Sequence, residues 1–409
     1  MIIDSPQPSS SPRRSASEAL VRAGIVATVL VAFLSACGGG GGGLGSTVPP
    51  GGTASATYAF GPIRGFGSVI VNGVRFDDSA ATISDDDGSR LTSADLHLGM
   101  VAEVEAGDNQ GGRAKASSIV VHSAIVGPVA AVDLGTGSVS VLGQTVTTDA
   151  QTAFDDTLAG GVAALAPGDV IKVYGAFDAA SQSYLATRIE RDAGATQFKL
   201  RGTLASVDMT LKIAVIGGAT IDFSGATGVP ANLVVGDVVV ARLALAQANG
   251  MWVATTLGFG QREVHDHGEA HLSGTIGDFV DSTHFSVDGT PVDATGARFP
   301  DGTDGIVAGA TVEVEGAITG GVLIATSVSL ESEHDGHGQD IELHGTISGL
   351  DTTAQTFLLR GSVVSYGGSV SYTGGTVATL ANGIHVEVRG DLSADGTQVV
   401  ATLIDFTSD

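Results

Sequence analysis

Histidine is concentrated in two short segments of this 409-residue chain, and these segments are the first place to look for chemistry. Six of the ten histidines lie within residues 262–271 and 331–344. The first segment carries ligand-type side chains at alternate positions, namely His265, His267, Glu269 and His271. An extended backbone would place all four on one face. The second segment adds His334, His337, Asp340 and His344.

Imidazole combined with carboxylate is the donor set that Zn²⁺, Cu²⁺ and Ni²⁺ accept. We therefore take the eight residues as candidate ligands for one of these metals. Two other interpretations stay open. The segments could be solvated spacers between domains, or a pH-responsive hinge in which the histidines become charged near pH 6.5. The other histidines stand singly, and we interpret them as ordinary surface or packed residues: His97, His122, His284 and His385.

Signatures of common enzymes are missing from the sequence. It contains no Gly-x-Ser-x-Gly elbow, no His-Glu-x-x-His and no Gly-rich phosphate loop ending in Lys-Ser or Lys-Thr. We expect no catalytic residues and no enzyme. The run Asp85-Asp86-Asp87-Gly88 is similar to part of a calcium loop, but Ile83 and Ala94 stand where its first and twelfth ligands belong. We interpret this run as an acidic turn.

Composition limits the classes of partner that the chain could bind. The formal net charge is −25, which repels phosphate backbones, so we expect no nucleic-acid binding. One cysteine excludes a disulfide framework and a cysteine-based zinc site. Aromatic residues make up 5% of the chain, which leaves little stacking surface for a polysaccharide. The remaining candidate partners are an envelope protein, a polysaccharide and a metal ion. Metal binding is our alternative function for the chain.

The N-terminus has the pattern of an export signal. Three arginines precede an apolar run over residues 23–34, which is too short to span a bilayer. The run ends in Leu34-Ser35-Ala36-Cys37, which resembles the lipobox of bacterial lipoproteins. This resemblance implies a signal peptide over residues 1–37, lipidation at Cys37 and attachment to a membrane through that lipid. Residues 38–57 are rich in Gly, Pro and Ser and predict a flexible tether. Gly38 favours the outer membrane, with the protein facing the periplasm or the cell surface.

The rest of the chain repeats one unit of about 70 residues. Each copy opens on a strand with a glycine, at Gly65, Gly127, Gly202, Gly274 and Gly345. Each closes on an Ala-[Ser/Thr]-x-aliphatic motif that begins at Ala116, Ala186, Ala254, Ala325 and Ala401. Apolar and polar residues alternate between these landmarks, which is typical of half-buried strands. Asn72-Gly73 and Asp288-Gly289 predict hairpin turns.

We predict an all-β chain of about five tandem OB-like or SH3-like barrels, because closure removes exposed strand edges. The predicted boundaries are β repeats at 58–122, 123–193, 194–261, 272–330 and 341–409, with His/Asp-rich junctions at 262–271 and 331–340. Units this small are marginal alone, so we expect neighbours to pack end to end or to share edges, with a string of beads as the competing picture.

The ordered motifs resemble a family of repeat domains of unknown function in bacterial exported lipoproteins. The resemblance rests on blocks such as Leu96-His97-Leu98-Gly99 and Leu380-Ala381-Asn382-Gly383. It covers residues 62–406 and implies fold and location, but no catalytic residue. The sequence thus predicts a non-enzymatic envelope lipoprotein that acts as a binding or spacer module.

Overall fold

Buried and exposed side chains alternate along the strands, as the sequence predicts. In the strand Thr311–Thr319, Val312 and Val314 are fully buried while the glutamates between and after them are partly exposed. The computed structural model describes residues 56–178, 180–262, 264–331 and 341–406. Within these ranges the secondary structure consists of strands and short 3₁₀ helices, and the strands form five small closed barrels.

Barrels 1 and 2 use the first thirteen strands. Barrel 1 contains β1 (Thr57–Phe66), β2 (Val69–Val71), β3 (Val74–Asp77), β4 (Thr82–Asp85), β5 (Arg90–Leu91), β6 (Val101–Ala106) and β7 (Arg113–His122). Barrel 2 contains β8 (Ile125–Asp133), β9 (Ser138–Val141), β10 (Gln144–Thr147), β11 (Ala153–Phe154), β12 (Val170–Asp178) and β13 (Ser183–Arg191). The 3₁₀ turns of these barrels are Ser93–Asp95, Asp156–Leu158 and Gly161–Ala164.

The other strands form barrels 3, 4 and 5. Barrel 3 contains β14 (Phe198–Asp208), β15 (Ile213–Ile216), β16 (Ala219–Asp222), β17 (Val238–Ala248) and β18 (Met251–Phe259). Barrel 4 contains β19 (His267–Asp281), β20 (His284–Val287), β21 (Thr290–Asp293), β22 (Thr311–Thr319) and β23 (Val322–Leu330). Barrel 5 contains β24 (Ile341–Thr346), β25 (Ser348–Asp351), β26 (Thr356–Leu359), β27 (Ser362–Ser365), β28 (Ser371–Thr373), β29 (His385–Leu392) and β30 (Gln398–Asp405). A 3₁₀ turn at Val377–Thr379 precedes β29.

Every barrel closes in the same order. In barrel 1, β1 pairs antiparallel with β2 and with β6, β3 runs parallel to β7, and β6 pairs antiparallel with β7. The corresponding strands of barrels 2 to 5 repeat this circuit. A closed five-strand circuit is OB-like, as predicted, and barrels 1, 2 and 5 also have a 3₁₀ turn before the fourth strand.

Two hairpin turns adopt the backbone that their sequences predict. Asn72 and Gly73 have φ of 49° and 70°, and Asp288 and Gly289 have φ of 47° and 85°. Positive φ at both central residues matches the right-handed twist of the flanking strands. Both turns also reach a neighbouring barrel. The amide of Asn72 donates to the backbone oxygens of Phe60 and His271 at 2.9 Å each.

The barrels share strand edges, and two of the three shared edges among the described strands join barrels that are not consecutive in the chain. β2 pairs only with Ile63 and Gly65 of β1, so the outer edge of residues 57–60 is left open. β19 pairs in parallel with that edge and joins barrel 1 to barrel 4, which we call the 1–4 seam. β24 pairs in parallel with the far end of β1 and forms the 1–5 seam. β8 and β14 join barrels 2 and 3.

Buried apolar side chains follow these seams. Those of barrels 1, 4 and 5 form one continuous core with Tyr174 of barrel 2, and those of barrels 2 and 3 form a second. Beads on a string would bury five separate cores. The expected edge sharing is therefore present, and it links barrels that are distant in sequence.

Candidate functional site

The first histidine-rich segment lies at the 1–4 seam. β19 begins at His267, so His265 precedes the strand and is exposed. His267 and His271 are 6% and 9% exposed, and Glu269 between them is half-buried. The structure thus places three of the four predicted side chains on one strand, where Glu269 contacts His271 while His267 contacts Glu105 instead, and it leaves His265 apart.

The polar surroundings of these histidines come from both barrels. His271 Nε2 lies 2.9 Å from Glu269 Oε1, which also accepts a 2.6 Å hydrogen bond from the Asn109 amide of barrel 1. His267 Nε2 lies 3.3 Å from Glu105 Oε1, without hydrogen-bond geometry. Burial raises the pKa of Glu105, although the nearby His267 opposes this shift.

Three imidazole nitrogens at this seam are buried without a hydrogen-bond partner among the described residues. They are Nδ1 and Nε2 of His267 and Nδ1 of His271. Buried polar atoms are normally satisfied, so each such nitrogen calls for an explanation. The His267 ring also stacks on Tyr58, with 5.1 Å between ring centroids.

The second histidine-rich segment is described only in part. His334, His337 and Asp340 lie outside the described residues, as does Cys37. His344 lies on β24 at the 1–5 seam, where its ring, Glu342 and Glu387 each offer one ligand atom within 4.8 Å of the others. The sequence places Glu342 beside His344, but Glu387 comes from β29 and no spacing rule links it to them.

Arginines neutralise this trio. Arg75 of barrel 1 forms an ion pair with Glu342 and lies 3.1 Å from His344 Nε2, while Arg389 lies 2.9 Å from Glu387 Oε1. Burial raises the pKa of Glu342, but hydrogen bonds from His344 and Arg75 outweigh it and bring the pKa to about 2. The trio therefore acts as an ion-pair network that fastens barrel 5 to barrel 1.

A third cluster of charged side chains, built around the single histidine His122, lies between barrels 1 and 3. We call this contact the 1–3 seam. His122 Nε2 is 2.9 Å from Glu103 Oε2, and His122 Nδ1 is 3.6 Å from Asp86 Oδ2. The fully buried Lys199 of barrel 3 also forms an ion pair with Asp86. Burial lowers the pKa of His122, but the neighbouring carboxylates of Asp86 and Glu103 outweigh this and raise it.

These residues are far apart in sequence, so periodicity could not find them. His122 stands singly in the chain, and Asp86 belongs to the acidic run that only resembles a calcium loop. In the structure Asp86 pairs with Lys199 and Asp87 pairs with Arg242. The acidic turn thus binds cationic side chains of barrel 3.

A cavity of about 360 Å³ opens beside the 1–3 seam. Its charged lining comes from barrel 1, barrel 3, the connection from barrel 3 to barrel 4 and the turn between β20 and β21: Asp86, Glu103, His122, Arg201, Arg242, Arg262 and Asp288. Arg262 covers the ring of Phe60, with its guanidinium carbon 3.3 Å from the ring centroid. Three arginines in one cavity are unexpected in a chain with a net charge of −25.

Together these features define an all-β protein of tandem OB-like barrels joined by polar seams. Comparison with known proteins agrees with this class. The family DUF5666, a domain of unknown function, matches residues 61–120, 126–190, 273–329 and 344–405. These four matches cover more than half of the chain, which therefore belongs to this family. Barrel 3 lies outside them and still closes through the same circuit.

Other comparisons add little. No curated protein matches the sequence. A solved structure, "drosophila Unr CSD456", is 14% identical and covers 52% of this chain and 98% of its own, with a TM-score of 0.14. A similarity this low supports no argument about fold or function. Among the described residues, no helix is long and apolar enough to cross a membrane.

Proposed function

We propose that the chain is a non-enzymatic cell-envelope lipoprotein whose five barrels act as one binding or spacer module. The observation that carries the proposal is the set of seams around barrel 1. Strand pairing at the 1–4 and 1–5 seams and the ion pair between Lys199 and Asp86 at the 1–3 seam hold it to three later barrels. A module of this kind would present several barrel surfaces in fixed relation to one another.

The proposed location rests on the sequence around Cys37. A lipid on this thiol would hold the N-terminal end at a membrane, and the residues between Cys37 and β1 would separate the barrels from it. The acidic barrels would then stay in solvent, because anionic headgroups repel them. An outer-membrane position facing the periplasm or the cell surface follows from Gly38.

Two measurements test the proposal. Labelling with a radioactive fatty acid in a bacterial host should mark the wild-type chain and leave Cys37→Ser unmarked. Small-angle scattering should give a radius of gyration of about 20 Å for the barrels, the value of a compact body of this length. Equal labelling of the two chains would exclude the anchor, and a much larger radius would exclude the single module.

Metal binding is the second candidate function, and the unpartnered nitrogens of His267 and His271 favour it. A transition metal would satisfy such nitrogens, with Glu105 and Glu269 as the neighbouring carboxylates. We propose Zn²⁺, Cu²⁺ or Ni²⁺ as the ion. The seam would then be strengthened by metal, because ligands from barrels 1 and 4 would share it.

Isothermal titration of each metal into the metal-free chain tests this candidate. The double variant His267→Gln/His271→Gln should lose binding, while His284→Gln should retain it because His284 is exposed on β20. Circular dichroism checks that the double variant is folded. Unchanged affinity in the double variant would remove the 1–4 seam as a metal site.

A further inference from the structure

Two arginines in the cavity at the 1–3 seam have no carboxylate partner. Neither Arg201 nor Arg262 forms an ion pair within 4.0 Å among the described residues. Arg201 donates from Nε to the backbone oxygen of Gly260 at 3.2 Å and from Nη2 to that of Asp288 at 3.5 Å. Arg262 donates from Nη2 to Thr290 Oγ1 at 3.0 Å, and its buried Nε has no hydrogen-bond partner.

The other charges that line the cavity are already compensated. Asp86 pairs with Lys199, Glu103 pairs with His122, and Arg242 pairs with Asp87. This leaves the two guanidiniums and Asp288. The carboxyl of Asp288 packs towards Gly274, whose added Cβ would lie 2.3 Å from its Oδ2, and only the backbone oxygen of Asp288 meets Arg201. Counting the partners Lys199 and Asp87, four cations face four anions here, and a protonated His122 gives the cavity one excess positive charge.

We propose that this cavity binds a small solute through a carboxylate or phosphate group held by Arg201 and Arg262. A guanidinium presents a planar fork of donors that matches such oxyanions, and it stays charged when partly buried. Stacking on Phe60 fixes the plane of Arg262, so little rotamer entropy is lost on binding. The volume of about 360 Å³ falls in the range of small-molecule sites.

Electrostatics supports the choice of an anion over a cation. Burial and the neighbouring Arg262 charge lower the pKa of Arg201, and the carboxyl of Asp288 only partly opposes this shift. An oxyanion between them would relieve this repulsion. A cation would instead add to the repulsion between the two guanidiniums.

The inference deepens the binding role proposed above and names its ligand chemistry. The test is calorimetric titration of the purified full chain with sodium phosphate and, separately, with sodium succinate, each against sodium chloride at equal ionic strength. Saturable binding is expected for at least one anion. Phosphate alone would identify a phosphate group, and succinate alone would identify a carboxylate.

Variants locate the site. Arg262→Gln should weaken binding about tenfold, since it removes one charge-assisted contact. Gln261→Glu should weaken it similarly, because Gln261 is exposed at the cavity lining and the new carboxylate repels the ligand without altering the core. Arg298→Gln is the matched control, because Arg298 is exposed and outside the cavity, and it should bind as the wild type does.

Two results would overturn the inference. One is no saturable binding of either anion up to about 10 mM. The other is wild-type affinity in both Arg262→Gln and Gln261→Glu. Neither result affects the labelling of Cys37 or the scattering experiment, so failure of the anion site is distinct from failure of the proposed function.

Discussion

Replacing Asp86 with Asn should leave a buried lysine between barrels 1 and 3 without a compensating negative charge. Lys199 is 1% exposed, and Asp86 is the carboxylate that neutralises it. After the replacement an amide oxygen and Ser123 Oγ at 3.2 Å can still accept hydrogen bonds from Lys199, but neither compensates its charge. Removing one member of a buried ion pair costs about 3–5 kcal/mol. Because Asp86 itself is 19% exposed, solvent reduces the penalty, and we expect a loss of about 3 kcal/mol.

The adjacent residue supplies the control. Asp87→Asn breaks the pair with Arg242, in which both side chains are about a quarter exposed, and should cost only about 0–1 kcal/mol. Lys199→Met in the Asp86→Asn background should recover most of the lost stability, because it removes the uncompensated buried charge.

Urea titration measures these differences. The single tryptophan, Trp252, lies on β18 of barrel 3 and its fluorescence follows that barrel, while circular dichroism follows all five. In Asp86→Asn the fluorescence transition should move to lower urea. The reasoning is refuted if Asp86→Asn and Asp87→Asn differ by less than about 1 kcal/mol, a margin close to the cost of an exposed pair.

Other predictions concern the same seams. His122 has a raised pKa in the folded chain, so its contribution to stability is full below about pH 6.5 and is lost as pH rises through its folded pKa; His122→Gln should abolish that alkaline decline in urea titrations. The opposite sign holds for Asp86, whose pKa of about 2 means that stability is lost in acid between about pH 4 and 2. Asn72→Ala removes three hydrogen bonds, two of them across the 1–4 seam, and should lower the free energy of unfolding by about 1–3 kcal/mol. Leu272→Ala at the same seam should cost about 2–5 kcal/mol by calorimetry, against no more than about 0.5 for Val280→Ala, whose side chain is 77% exposed.

Local pattern was sufficient to predict the barrels. The recurring glycines, the alternation and turns such as Asn72-Gly73 are properties of one unit, and each unit closes on itself. Even barrel 3, which the family match leaves out, was recognisable from the same landmarks at Gly202 and Ala254. Shared edges between neighbouring units were expected on a different ground, since units this small are marginal alone.

The polar contacts at the seams could not be predicted from local sequence pattern. His122 shows no periodic partner in sequence, because Asp86 and Glu103 approach it by barrel closure and Lys199 by the docking of another barrel. Clustering in sequence pointed instead to residues 262–271, of which His267 and His271 do lie at a seam. The cavity arginines gave no sequence signal, since Arg201 and Arg262 belong to separate segments that meet only when barrels 1, 3 and 4 are assembled.

The parallel pairing of β1 with β19 has a consequence for biosynthesis. The edge at residues 57–60 emerges from the ribosome about 200 residues before the strand that covers it. Barrel 1 can close early, but its open edge remains available to other extended chains until barrel 4 is made. Contacts this distant in sequence slow folding and lengthen the time during which aggregation competes. A chain truncated after barrel 3 should therefore self-associate, while the complete chain caps its own edge.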